Sequence, residues 1–218
     1  MSAGWAFAPD RGPMVLASAS REGPARSPRA AVFLDRDGVI NELIADPITG
    51  RGESPLRVED VRLLPGAAAA VALLARAGYV LVCVSNQPAA AKATVSLAGL
   101  RDVHERVIEL LAREGVRLDR SYLCPHHPEG VVAELAGACD CRKPRPGMLD
   151  AACDALALDR GGSWMVGDTD ADIGAGLAAG CRTLMIRNSG SAHKRLQGFH
   201  ADAIADSLID GIERLPLD

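Results

Sequence analysis

The stretch "FLDRDGVIN" sets two carboxylates, Asp35 and Asp37, two positions apart directly after an apolar run. Near the end of a strand, that spacing points both side chains the same way. Adjacent carboxylates repel unless a cation lies between them, and magnesium, a hard cation that takes oxygen ligands, suits the gap. Asp35 could then attack phosphorus, while Asp37 protonates the leaving oxygen and later activates water. Taken alone, the stretch reads equally well as an acidic turn facing solvent. In "VGDTDADIGAG", Asp168 follows another apolar run and could complete the magnesium site, and Asp172, one helical turn on, could bind a lysine or a metal-bound water. Asp170 is expected to be solvated or to serve the helix N-terminal preference for acids. "VSNQ" offers the Ser85 hydroxyl and the Asn86 amide as neutral donors to phosphate oxygens, although both residue types also cap helices and fill turns. Lys143, just before a proline, supplies the compact cation that a transferring phosphoryl group needs.

A second constellation is "CPHHPEGVVAELAGACDCRKP", residues 124 to 144. Cys124 and His126, then Cys139 and Cys141, form C-x-H and C-x-C pairs separated by 12 residues. These ligands can close a tetrahedral zinc site with no open position, which makes the zinc structural rather than catalytic. A disulfide is disfavoured, because a Cys-x-Cys bridge closes a very tight ring and the chain reads as cytoplasmic. His127 competes with His126, and spacing does not separate the two neighbours. Cys83, Cys153 and Cys181 sit singly in apolar or helical context and are expected in the core, while His104, His193 and His200 have no partner pattern.

The elements that must carry these residues alternate in type. "AAVFL" at 30 to 34 reads as a strand buried on both faces, and residues 40 to 65, broken by Pro and Gly, read as an irregular flap. "GAAAAVALLARAG" is a helix closed by Gly78, and "YVLVCV" is a strand. A helix near 95 to 114, a short strand at 121 to 123, and a helix from about 146 to 158 follow. A strand at 163 to 166, a helix near 171 to 179, the strand "RTLMIR", and "ADAIADSLIDGIERL" complete the series. The alternation predicts an α/β fold, a Rossmann-like three-layer sandwich around a parallel sheet. Ligands of such sheets bind at the carboxyl ends of the strands, where the acidic and polar clusters fall.

The chain has 218 residues, 48% of them hydrophobic and only 3% aromatic, enough for one aliphatic core. Residues 1 to 28, rich in Ala, Gly, Pro, Ser and Arg, read as a flexible tail, leaving 29 to 218 as the domain. A net charge of -4 provides no basic field for nucleic acid or anionic lipid, and no apolar run approaches membrane length. The expectation is a cytoplasmic monomer whose partner is a small phosphorylated solute, with no nucleic-acid or membrane partner.

"DRDGV", "SNQ", "RKPRPG" and "GDTDAD", in that order, resemble the four motifs of the haloacid dehalogenase superfamily of phosphotransferases over roughly residues 30 to 190. The resemblance implies an aspartyl-phosphate on Asp35 and acid–base work by Asp37. It also implies magnesium held by Asp35, the Asp37 backbone carbonyl and Asp168, with Ser85 and Lys143 stabilising the phosphoryl group. "CPHHPEG" and "CDCRKPRPGM" narrow it: they are similar to the zinc loop of the capless phosphatases that remove the 7-phosphate of D-glycero-D-manno-heptose 1,7-bisphosphate, and of the related histidinol-phosphate phosphatases. That likeness implies the ligands Cys124, His126, Cys139 and Cys141, and substrate contacts from Asn86, Gln87, Arg142 and Lys143. No interval between the motifs is long enough for a large cap. The chain departs from the family at "NQPAAAKA", with Pro88 and Lys92, at Thr169 after the metal aspartate, and in a longer flap. The expected activity is a magnesium-dependent sugar-phosphate phosphatase, with histidinol phosphate the alternative substrate. A silent zinc-bearing scaffold is the reading from another class, and a nucleic-acid 3'-phosphatase is disfavoured by the acidity of the chain.

Overall fold

The computed structural model describes residues 4–7, 12–17, 28–196 and 198–216. The core strands are β3 (Arg29–Leu34), β6 (Val80–Asn86), β7 (Arg120–Cys124), β8 (Leu158–Gly167), β9 (Arg182–Ile186) and β10 (Ala203–Ala205). They pair in parallel in the order β7-β6-β3-β8-β9-β10. Their connections include the helices α1 (Ala67–Arg76), α2 (Leu97–Arg113), α3 (Gly147–Leu156) and α4 (Asp170–Ala178), and α5 (Leu208–Gly211) follows β10.

Period-two alternation divides the sheet between two cores. Val32 and Leu34 of β3 pack with Val71 and Leu74 of α1 and with Val103, Val107 and Leu111 of α2. Ala31 and Phe33 pack on the other side with Met148 and Leu149 of α3 and Ala175 of α4. This is the expected three-layer arrangement, and Cys83, Cys153 and Cys181 are buried in it, as expected. β3 lies between β6 and β8, so the residues leaving these three strands share one end of the sheet.

The expected tail is corrected within residues 1–28. β1 (Gly4–Phe7) and β2 (Met14–Ala17) form an antiparallel hairpin, and β2 extends the sheet antiparallel to β7. The Trp5 indole donates to Glu105 on α2 at 2.6 Å and sets its ring against His104. The remainder of that segment, apart from residues 12, 13 and 28, lies outside the described residues. The flap is irregular as expected, relieved by a short pairing of β4 (Ile44–Ala45) with β5 (Gly52–Glu53). Among the described residues, no helix is long and apolar enough to cross a membrane.

Candidate active site and metal knot

Asp35 and Asp37 follow β3, Ser85 and Asn86 end β6, and Asp168 follows β8, so all five meet at one cleft of about 500 Å3. Gly38 makes the close approach possible. Its φ is +86°, and a Cβ there would stand 2.1 Å from Asp168 Oδ2. Asp35, Asp168 and Asp172 each bring a carboxylate oxygen within 4.8 Å of the others. Among the described residues, neither Asp168 carboxylate oxygen has a hydrogen-bond partner, and the nearby Ser191 hydroxyl donates to the backbone carbonyl of Asp168 at 3.2 Å.

This crowding raises the carboxyls. Burial, followed by the charges of Asp172 and Asp37, pushes Asp35 up to about 6 in spite of Lys143. Burial and the charges of Asp35 and Asp172 hold Asp168 well above the usual carboxylate range. Buried oxygens with no donor, gathered among like charges, are the environment that a hard divalent cation relieves, so the set fits magnesium.

Lys143 reaches this cluster from the loop after β7. Its ammonium donates to the Val84 carbonyl at 2.7 Å and lies 3.0 Å from Asp35 Oδ1 and 2.5 Å from Asp172 Oδ1. Burial opposes its charge, but Asp172 and Asp35 outweigh burial and raise its pKa. Asp172 is fixed in turn, its Oδ2 accepting from the Thr169 N–H at 3.0 Å and the Thr169 hydroxyl at 2.6 Å. Thr169 therefore anchors the residue that anchors Lys143. Of the two expectations for Asp170, solvation is corrected, since it is 4% exposed, and the helix N-terminal role holds, since it stands in the first turn of α4.

Asp37 is ringed by donors. Arg36 grips it with Nε at 3.0 Å and Nη2 at 2.9 Å, Asn41 donates at 2.9 Å, and Gln87 donates at 2.6 Å. The Ser54 side chain of the flap hydrogen-bonds it as well. Burial works to raise this carboxyl, but the Arg36 charge and the surrounding hydrogen bonds hold it below the usual range. Arg36, Asn41 and Ser54 were not singled out from the sequence. Arg36 carried a signal, as a cation flanked by two acids inside an apolar stretch.

The amides expected on substrate are engaged elsewhere. Asn86 donates to the Lys143 carbonyl at 3.0 Å and accepts from the Lys143 N–H at 3.1 Å. It still lines the cleft, whereas Gln87 is 1% exposed and does not. Arg142 lines the cleft and donates to the His126 carbonyl at 3.2 Å. Lys92 and His127 join it along the rim, with Lys194, Glu53 and Ser54 contributed by other segments. Lys194 reaches the flap, donating to the Gly52 carbonyl at 3.2 Å and pairing with Glu53 at 3.1 Å.

Behind this rim, Cys124, His126, Cys139 and Cys141 converge, all buried. Their sulfurs stand 3.3, 3.5 and 3.7 Å apart, and His126 Nδ1 lies 3.4 Å from Cys141 and 3.8 Å from Cys124. An ion about 2.3 Å from each sulfur sets tetrahedral edges of about 3.8 Å, so the knot has the size of a zinc site. The structure separates the two histidines. His127 turns away, its Nδ1 accepting from the Glu129 N–H at 3.1 Å.

A relative from Salmonella typhi, a D-glycero-beta-D-manno-heptose-1,7-bisphosphate 7-phosphatase, is 37% identical over 180 residues, covering 83% of this chain and 92% of its own. The chain belongs to this phosphatase family of the haloacid dehalogenase superfamily. The family model described as "HAD-hyrolase-like" matches residues 140–211. A HAD-like structure from Mesorhizobium loti superposes with a TM-score of 0.76 at 32% identity, covering 94% of this chain and 95% of its own. A D,D-heptose 1,7-bisphosphate phosphatase from B. bronchiseptica, in complex with magnesium and phosphate, superposes with a TM-score of 0.69 at 27% identity, covering 85% of this chain and 97% of its own. Like other phosphatases of this family, the chain hydrolyses phosphate monoesters.

Proposed function

We propose that the chain is a magnesium-dependent phosphatase that removes the 7-phosphate of D-glycero-D-manno-heptose 1,7-bisphosphate, with a structural zinc at residues 124 to 141. The observation that carries the reading is the position of Asp35, at the floor of a cleft between Lys143 and the donor-free carboxylate of Asp168. Asp35, the Asp37 carbonyl and Asp168 would hold magnesium, which supplies positive charge to the phosphoryl oxygens when bound.

An Asp35 oxygen attacks phosphorus, the bond from phosphorus to the sugar oxygen breaks, and Asp37 gives that oxygen its proton. Asp37 then takes a proton from water, whose oxygen attacks phosphorus. The bond to Asp35 breaks and inorganic phosphate leaves. Ser85 and Lys143 hold the phosphoryl oxygens, and Asn86 holds Lys143. Buried, crowded thiols resist ionisation, and the hydrogen bond to Cys124 together with burial raises Cys139 strongly. Cys124, His126, Cys139 and Cys141 would hold a zinc ion, whose charge would offset that cost and fix the loop that presents Arg142 and Lys143.

The rim supports the bisphosphate. Lys92, Arg142 and Lys194 line the cleft beyond the catalytic floor, where a second phosphate of an extended sugar would lie. Histidinol phosphate would carry its cationic amine into that same group of cations. Steady-state rates with the two heptose bisphosphate anomers and histidinol phosphate test the assignment. A clear preference for one bisphosphate is expected, and low, similar kcat/KM values for all three would sink it.

A further inference from the structure

The geometry points to Gln87 as a positioning residue that orients Asp37 and Ser85 at once and is itself held by the metal knot. Its side-chain amide has two N–H donors. One is given to Asp37 Oδ2 at 2.6 Å and the other to Ser85 Oγ at 3.0 Å. Arg36 and Asn41 also donate to Asp37, so it stands here as an ionised carboxylate, which only accepts, and the Gln87 amide presents its nitrogen, leaving Gln87 Oε1 without a partner among the described residues.

Two consequences follow from this single group. Ser85 Oγ accepts from Gln87, so its one proton is available to point into the cleft, where a phosphoryl oxygen accepts it. Asp37 is held on the side of the cleft by a donor that, unlike Arg36 and Asn41, also touches a residue of the phosphoryl cradle. Gln87 does not line the cleft, so it acts through these two neighbours and not on substrate.

The backbone adds the second half. The Gln87 N–H donates to the Cys124 carbonyl at 2.7 Å, and its neighbour Asn86 is in register with Cys124 across β6 and β7. Cys124 thus connects the knot to the acid–base carboxylate by one hydrogen bond and one side chain. The knot then serves Asp37 on one side of the cleft as well as Arg142 and Lys143 on the other.

This inference rests on the proposed role of Asp37 as the acid that protonates the leaving oxygen. A general acid matters most when the leaving group is poor, so the full chain is assayed for kcat/KM on an alkyl sugar phosphate and on nitrophenyl phosphate. Asp37→Asn, Gln87→Met and Gln87→Glu are compared with the parent. Methionine keeps the volume without a donor. Glutamate keeps the shape and sets an acceptor against Asp37, and it carries the test if the methionine variant does not fold. Both Gln87 variants are expected to lose roughly 10- to 100-fold on the alkyl ester and no more than about threefold on the aryl ester, following Asp37→Asn in direction. Inhibition by inorganic phosphate weakens in both as Ser85 loses its orientation. Equal losses on the two esters with unchanged phosphate inhibition, while Asp37→Asn remains selective, overturn the inference and leave the reading of Asp37 intact. If Asp37→Asn itself shows no selectivity, the general-acid reading falls and this inference with it.

Discussion

Lys143 Nζ lies 3.0 Å from Asp35 Oδ1, with both side chains buried at the floor of the cleft. In the proposed mechanism the ammonium would both restrain the attacking carboxylate and meet the incoming phosphoryl group, so it would act before and during the transfer. Replacing it by methionine removes the preorganised charge, and phosphate release should fall by roughly 100- to 1,000-fold at saturating substrate. A variant that retains parental kcat would show that the cation is not needed there.

Asp172 holds Lys143 from the other side at 2.5 Å. Asp172→Asn removes one member of a buried ion pair and leaves its partner undercompensated, which should cost about 3–5 kcal/mol of folding stability. Urea unfolding measures it, and an unshifted midpoint at constant slope would contradict the arrangement.

Gly38→Ala tests the metal site through space. The added Cβ would meet Asp168 Oδ2 at 2.1 Å, at a φ of +86° that L-residues rarely adopt. Asp168 must move, and the magnesium concentration for half-maximal activity should rise about 10- to 100-fold. Titration of activity with magnesium checks this, and an unchanged curve would place the cation elsewhere.

The knot predicts a separate dependence. A Cys139→Ser protein should carry little zinc by elemental analysis and unfold at lower urea, because the proposed closed tetrahedral site would contribute directly to folding. Full zinc content in that variant would remove Cys139 from the ligand set.

His104 predicts an acid limb of stability. Burial, with the Arg36 charge, lowers its pKa from 6.5 to about 3. Between those values the unfolded chain binds a proton that the native chain refuses, so this contribution is complete above pH 6.5 and is lost as pH falls toward 3. Urea midpoints of His104→Phe should therefore decline less than the parent's as pH is lowered from about 7 to about 4. Parallel declines would rule His104 out as the source.

The strand-end chemistry was legible because a parallel sheet gathers its carboxyl ends, and three acidic or polar clusters followed three apolar runs. Gln87, expected on substrate, shows what the same pattern contained about its position: it sits on Asp37 and Ser85 instead. Ser85 and Gln87 are two apart and share a side of the strand end, with Asn86 on the other, so alternation already set Gln87 beside Ser85 and Asn86 toward Lys143. Ser54 was not legible, since its approach to Asp37 depends on how an irregular flap folds back. The N-terminal hairpin was hidden by averaging. "GWAF" and "MVLA" are short, their surroundings are rich in Gly, Pro and Ser, and their pairing is decided by the distant β7.

That hairpin also orders events during synthesis. Its strands leave the ribosome before the rest of the sheet, yet β2 completes its pairing only after β7 has emerged, and Trp5 waits for Glu105, 100 positions later. Docking over so long a loop is slow compared with local helix formation. Strands made early in this sheet are thus among the last to be seated, and until then β7, the strand that ends in Cys124, presents an open edge to other chains.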